Sequence, residues 1–266
     1  MNGKPVLISH QNPLEFLAAV LGCFASGAIA TPSVSSHTRR HADRLASIIE
    51  DSGAEVVLLP DMAVSSPDTL VKRVPSLKQV ALIGSDVIPL EHADNWQPPE
   101  FSRDALSVLQ YTSGSTRSPK GVMISHGNLL SNIKCIHNRA ALEVGECAVS
   151  WLPMFHDMGL VSSLYGLYAG SHSVMFTPAH FSQKPRRWLE AISKYKAGYS
   201  GGPNFAYSLC AKLSSSDLEG LDLSHWRFAF CGAEPVRKET LDAFASRVAD
   251  SGFRRTAFFP CYGLAE

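Results

Sequence analysis

Residues 148–177 read AVSWLPMFHDMGLVSSLYGLYAGSHSVMFT. An apolar run at Ala148–Leu152 predicts a strand, Met158–Tyr168 a helix, and Ser173–Thr177 a second strand. Two strands joined through a helix lie parallel in one sheet, so this stretch decides for an α/β fold with helices covering a largely parallel sheet. The alternation extends in both directions. Toward the carboxyl end, strands are expected at Gly198–Ser200, Arg227–Cys231 and Thr256–Phe259, with helices at Pro185–Lys196, Phe205–Leu213 and Arg237–Ser251. Toward the amino end lie strands at Ser107–Thr112 and Gly121–Ser125 and a helix at Asn128–Arg139. A connector, Gly84–Arg103, carries four acidic residues and three prolines. Before it come strands at Pro5–Ser9, Glu55–Leu59 and Gln79–Ile83, and helices at Pro13–Ser26 and Thr38–Ser52 closed by Gly27 and Gly53. Two lobes follow from this reading, residues 1–100 and residues 101–266.

Composition narrows the function classes. The 266 residues hold 24 Lys and Arg against 24 Asp and Glu, a net charge of zero. That balance argues against a polybasic binder of nucleic acid or of a membrane surface. A hydrophobic content of 45% supplies a core. The longest apolar stretch, Phe16–Ala30, is interrupted by two glycines and a serine and falls short of the roughly 20 residues a spanning helix needs. The opening MNGKPVLISHQNP has no leader pattern, and a cytoplasmic protein without membrane insertion is expected. The six cysteines are scattered singly, which suits buried thiols better than a zinc site. His37 and His41 have i, i+4 spacing, but two arginines stand between them, so they mark the solvated start of a helix.

Ligands of open α/β sheets bind beyond the carboxyl ends of the strands. Four segments expected there are unusual: 152–157 (LPMFHD), 201–204 (GGPN), 232–236 (GAEPV) and 262–266 (YGLAE). A fifth, Tyr111–Gly121 (YTSGSTRSPKG), offers hydroxyls and unobstructed backbone N–H groups, with Arg117 and Lys120 adding positive charge. Such a loop suits a polyphosphate. It is not a Walker A loop, because Lys120 precedes a strand instead of opening a helix. Gly198-Tyr-Ser-Gly-Gly202 matches the G-x-S-x-G nucleophile elbow, yet the only later histidine is His225, and Asp217 and Asp222 lie within eight residues of it. Separate strand ends cannot deliver that set to Ser200, so a hydrolase is disfavoured. His156-Asp157 alone is also a weak basis for a metal phosphohydrolase.

The run LQYTSGSTRSPKGVMISHGNL (109–129) resembles the phosphate loop of adenylate-forming enzymes, the superfamily of acyl-CoA synthetases, peptide-synthetase adenylation domains and luciferases. SWLPMFHDMGL (150–160), SGGPNFAYSLC (200–210), WRFAFCGAEPVR (226–237) and FFPCYGLAE (258–266) resemble its fatty acyl-AMP ligase branch. The resemblance implies the layered α/β N-terminal domain of that superfamily. It implies that Thr112, Ser113, Gly114, Ser115, Thr116 and Lys120 hold the β- and γ-phosphates of ATP. Gly232, Ala233 and Glu234 would line the adenine edge, with Tyr262 stacking on the base and Gly263 beside it. Glu266 would help bind Mg²⁺, and His156 would serve catalysis near the carboxylate and α-phosphate. Arg117 stands where the superfamily usually has glycine, and Ala265 where a hydroxyl is common. Both departures are similar to the narrower branch.

The implied activity is ATP-dependent conversion of a fatty acid to its acyl-adenylate, then transfer to the phosphopantetheine thiol of an acyl carrier protein. The alternatives are a fragment of a fatty acyl-CoA synthetase and a non-catalytic ligand-binding module. The family continues past the motif ending at Glu266 with a ribose anchor and a small C-terminal domain. The chain is therefore expected to be a fragment of the N-terminal domain, inactive alone.

Overall fold

Asn12, Pro13 and Gly27 bound the first helix. The Asn12 side chain accepts the Leu14 N–H at 2.9 Å, proline fills the first turn, and Gly27 at φ 72° ends it. These are the local preferences of helix termini. The computed structural model describes residues 3–35, 38–100, 102–112, 120–140 and 142–265. The chain divides into two compact units, residues 1–131 with 154–157 and 265–266, and residues 132–153 with 158–264.

The first unit contains β1 (Pro5–Ile8), α1 (Pro13–Ser26), β2 (Ile29–Pro32), α2 (Arg39–Ser52), β3 (Val56–Leu59), α3 (Asp61–Val64), α4 (Pro67–Arg73), β4 (Ala81–Gly84), β5 (Leu106–Tyr111) and β6 (Gly121–Ser125), after which α5 (His126–Ala140) begins. Its six strands run in the order β4-β3-β1-β2-β5-β6. All pairs are parallel except the β5–β6 hairpin. Thr38 caps α2 by accepting the His41 N–H at 3.2 Å. The helix then buries Ala42, Leu45, Ile48 and Ile49 with Leu7, Val57, Leu59 and Tyr111. Each large side chain buried this way stabilises by about 1.5–3 kcal/mol.

The second unit contains β7 (Cys147–Ser150), α6 (Asp157–Tyr168), β8 (His172–Met175), α7 (Pro178–Gln183), α8 (Arg186–Lys194), β9 (Tyr199–Gly202), α9 (Asn204–Cys210), α10 (Ser215–Leu218), β10 (Phe228–Cys231), α11 (Lys238–Arg247) and β11 (Phe258–Pro260). Its five strands, ordered β11-β10-β9-β7-β8, are all parallel. Gly202, Cys231 and Pro260 share one register row, so three strands end side by side. Trp188, Trp226, Tyr207 and Phe244 are fully buried and pack edge-on or stacked with one another.

The expected α/β class with sheets flanked by helices is the observed one. Several details differ. Ile29–Pro32 is a strand between β1 and β5, absent from the sequence reading. β5 pairs with β2, so the expected division at residue 100 falls inside the first unit. The connector is fastened: the Trp96 indole donates to the Ala25 carbonyl at 2.9 Å. Among the described residues no helix is long and apolar enough to cross a membrane.

Candidate active site

In the first unit the candidate site is built on the end of β5. The Thr112 N–H donates to the Lys120 carbonyl at 3.3 Å, joining the two roots of the hydroxyl-rich loop. Tyr111 anchors them. Its ring lies across Gly121, where a Cβ would come within 2.9 Å of Tyr111 Cζ, so only glycine fits opposite it. The Tyr111 phenol donates to Asp51 Oδ2 at 2.6 Å, and its carbonyl accepts from Arg44 Nη2 at 3.0 Å. Burial, then the Asp51 carboxylate, raise the phenol pKa, which keeps it a donor. Arg44 and Asp51 are seven residues apart on α2, hence on one face of that helix. Ser113, Gly114, Ser115, Thr116 and Arg117 lie outside the described residues, as does Glu266.

The residue before Tyr111 serves a different partner. Gln110, 2% exposed, donates from Nε2 to the Phe155 carbonyl at 2.8 Å. Successive strand residues face opposite sides, so one strand end holds α2 through Tyr111 and the 154–157 turn through Gln110. His156 follows Phe155 and is exposed. Its pKa is lowered chiefly by desolvation; Asp157 opposes the shift and the Arg44 cation adds to it. The lowered pKa favours the neutral imidazole, which can donate one hydrogen bond and accept another. Within one unit, the turn that carries His156 is bonded to Gln110, two residues before Thr112, whose N–H pairs with the Lys120 carbonyl.

Gly232, Ala233, Glu234, Tyr262 and Gly263 belong to the second unit, at the strand-end rim. Gly232 follows β10, and a Cβ there would sit 2.7 Å from both the carbonyl oxygen and Sγ of Cys261. The close approach of these two chain segments therefore requires glycine. Ala233 adopts φ 62°, left-handed backbone that a non-glycine residue seldom takes. What holds it is a clasp to α9. Glu234 Oε1 accepts the Phe205 N–H at 2.6 Å, and Asn204 Oδ1 accepts the Arg237 N–H at 3.0 Å. Asn204 Nδ2 also donates to Thr240 Oγ1 at 3.3 Å. Tyr262 stands 89% exposed beyond β11, its ring face open.

Ser200 is no nucleophile. It is fully buried inside β9, donates to the Val149 carbonyl at 2.7 Å and accepts from Trp188 Nε1 at 2.8 Å. His225 instead faces Asp222 at 4.0 Å. Among the described residues no three His, Cys, Asp or Glu side chains group as a metal site. Gln110, Tyr111, Arg44 and Asn204 make bonds that the sequence reading passed over. Gln110, Tyr111 and Asn204 stand inside quoted motifs; Arg44 carries no local signal at all.

The family model described as AMP-binding enzyme matches residues 1–266. The chain is 40% identical over 266 residues to the medium-chain-fatty-acid–acyl-carrier-protein ligase JamA of Moorena producens (strain JHB), covering 98% of this chain and 45% of that protein. It is 34% identical over 271 residues to a long-chain-fatty-acid–AMP ligase of Mycobacterium marinum, covering 99% and 43%. Among solved structures, the fatty acyl-adenylate ligase of L. pneumophila in complex with acyl adenylate and pyrophosphate matches with a TM-score of 0.91. The identity is 40%, and the match covers 100% of this chain and 46% of that one. The chain spans less than half the length of these relatives.

Proposed function

This chain belongs to the AMP-binding enzyme family, and from that premise we propose that the whole protein is an ATP-dependent fatty acyl-AMP ligase of the cytoplasm. A fatty acid carboxylate oxygen attacks the α-phosphorus of ATP. The bond from that phosphorus to the bridging oxygen of the β-phosphate breaks, and pyrophosphate leaves. No proton moves in this step. The phosphopantetheine thiol of an acyl carrier protein then attacks the acyl carbon, losing its proton as AMP departs.

The observation that carries the reading is that one end of β5 bears both the paired loop roots Thr112 and Lys120 and, through Gln110, the turn before His156. Thr112, Ser113, Gly114, Ser115, Thr116 and Lys120 hold the β- and γ-phosphates, whose charge grows as pyrophosphate forms. Neutral His156 donates a hydrogen bond to oxygen at the reacting centre, where negative charge develops. Backbone groups of Gly232, Ala233 and Glu234 face the adenine edge, with Tyr262 stacked on the base and Gly263 leaving room beside it. Magnesium on a nucleotide needs only one or two carboxylates besides phosphate oxygens. Glu266 would supply that donor, and the ion would neutralise phosphate charge.

The test is a product assay with the full-length protein, ATP, Mg²⁺ and a fatty acid. Acyl-adenylate detected by mass spectrometry, and then acyl transfer to a holo carrier protein, is the expected result. Transfer to coenzyme A in place of the carrier would instead make it an acyl-CoA synthetase. Absence of acyl-adenylate with every fatty acid would overturn the reading.

A further inference from the structure

Gln110 is almost wholly buried, and a buried amide normally satisfies both its ends. Here only one end is satisfied. Nε2 donates to the Phe155 carbonyl at 2.8 Å, while Oε1 is buried with no partner among the described residues. The bond to Phe155 fixes which end of the amide points where, and leaves the acceptor stranded in a sheet that is otherwise apolar at Val108 and Tyr111. An apolar side chain of similar length would remove that stranded atom. A glutamine therefore sits where packing alone favours methionine or leucine.

The contact it makes spans 45 residues and is directed at the residue before His156. The same strand end carries Tyr111, whose carbonyl is held by Arg44. The Phe155 and His156 rings lie 5.3 Å apart at 38°, so the tethered residue also bears on the imidazole directly. We infer that Gln110 is the positioning residue of His156: by holding the Phe155 carbonyl it sets where the imidazole stands relative to the root of the phosphate loop. The inference rests on the catalytic role proposed for His156. It adds that the phosphate loop and the catalytic turn are aligned by adjacent residues of one strand, so that neither shifts without the other.

The test is a double-mutant cycle in the full-length protein with Gln110→Met and His156→Ala, read by the rate of acyl-adenylate formation. Methionine keeps the length and volume and removes both the donor and the stranded acceptor. In the otherwise native enzyme Q110M lowers kcat about tenfold, with KM for ATP within about twofold. In the H156A background it lowers the residual rate less than about twofold, because the group it positions is gone. A purely structural residue would cost the same factor in both backgrounds, and that result overturns the inference. So does full activity of Q110M. A second readout is independent of turnover. The His156 ring resonances of unliganded Q110M shift from those of the native protein, whereas unchanged resonances overturn the tether. If the native protein itself makes no acyl-adenylate, the functional reading fails, and the resonances still decide whether Gln110 fixes His156.

Discussion

The Glu234 carboxylate accepts the backbone N–H of Phe205 at 2.6 Å. That bond commits the side chain to a protein partner, so in the proposed site Glu234 would offer a nucleotide only its backbone. With Asn204 on Arg237 it staples the turn after β10 to the start of α9, across strands whose ends are already in register. Glu234→Ala releases one end of the staple and lets Ala233 leave its left-handed conformation. The expected loss is about 1 kcal/mol of stability, that of one exposed hydrogen bond, with a weaker affinity for ATP. Glu234→Gln keeps the acceptor oxygen and restores both. Denaturant melts and calorimetry with ATP measure the two effects separately.

Burial lowers the His156 pKa below the ordinary 6.5, with Asp157 opposing and Arg44 reinforcing the shift. The unfolded chain then binds a proton near pH 6.5 that the folded chain still refuses. Stability from this group is complete above pH 6.5 and is lost as the pH falls from there through the folded pKa. His10 and His126, also lowered chiefly by burial, act in the same direction. A proton NMR titration gives a His156 midpoint below 6.5; a midpoint at or above that value contradicts the neutral-imidazole reading.

Ser200→Ala strands two buried partners, the Trp188 indole N–H and the Val149 carbonyl. A stability loss of about 1–3 kcal/mol is expected. Adenylation by the folded variant should stay near that of the native enzyme, and neither protein should react with a fluorophosphonate. Covalent labelling of Ser200 would reinstate the hydrolase reading.

Gly232→Ala forces a Cβ to within 2.7 Å of the Cys261 carbonyl oxygen, a backbone atom that cannot swing aside. Separating the two segments should cost about 1–3 kcal/mol. Because the same turn faces the adenine edge in the proposed site, ATP affinity should fall as well. Thermal melts and nucleotide titration of the same preparation test both.

Much of the fold is written locally. Gly27 marks the end of α1, the 3.6-residue pattern marks α2, and apolar runs mark most strands of the second unit. β2 is not legible, because four residues ending in proline directly after a helix cap are too short an apolar run to show a strand pattern. The unit boundary fails for a related reason: the pairing of β5 with β2 joins residues 78 apart in sequence, Ala30 and Val108, which no window captures. The candidate site divides the same way. Loop chemistry is visible in composition, and the role expected of His156 comes from the family resemblance of its motif. The bonds that place them, Gln110 to Phe155, Arg44 to Tyr111 and Glu234 to Phe205, are tertiary and exist only once the strands have paired.

The most direct test of the whole account is ATP–pyrophosphate exchange by the full-length protein across fatty, aryl and amino acids. Exchange requires that the carboxylate attack the α-phosphorus reversibly, so it reads the proposed step without any carrier protein. The account predicts fastest exchange with a medium- or long-chain fatty acid, and a loss of about 10²-fold, equal to about 2.7 kcal/mol of transition-state stabilisation, on His156→Ala. Faster exchange with an amino acid or a benzoate than with any fatty acid would contradict it.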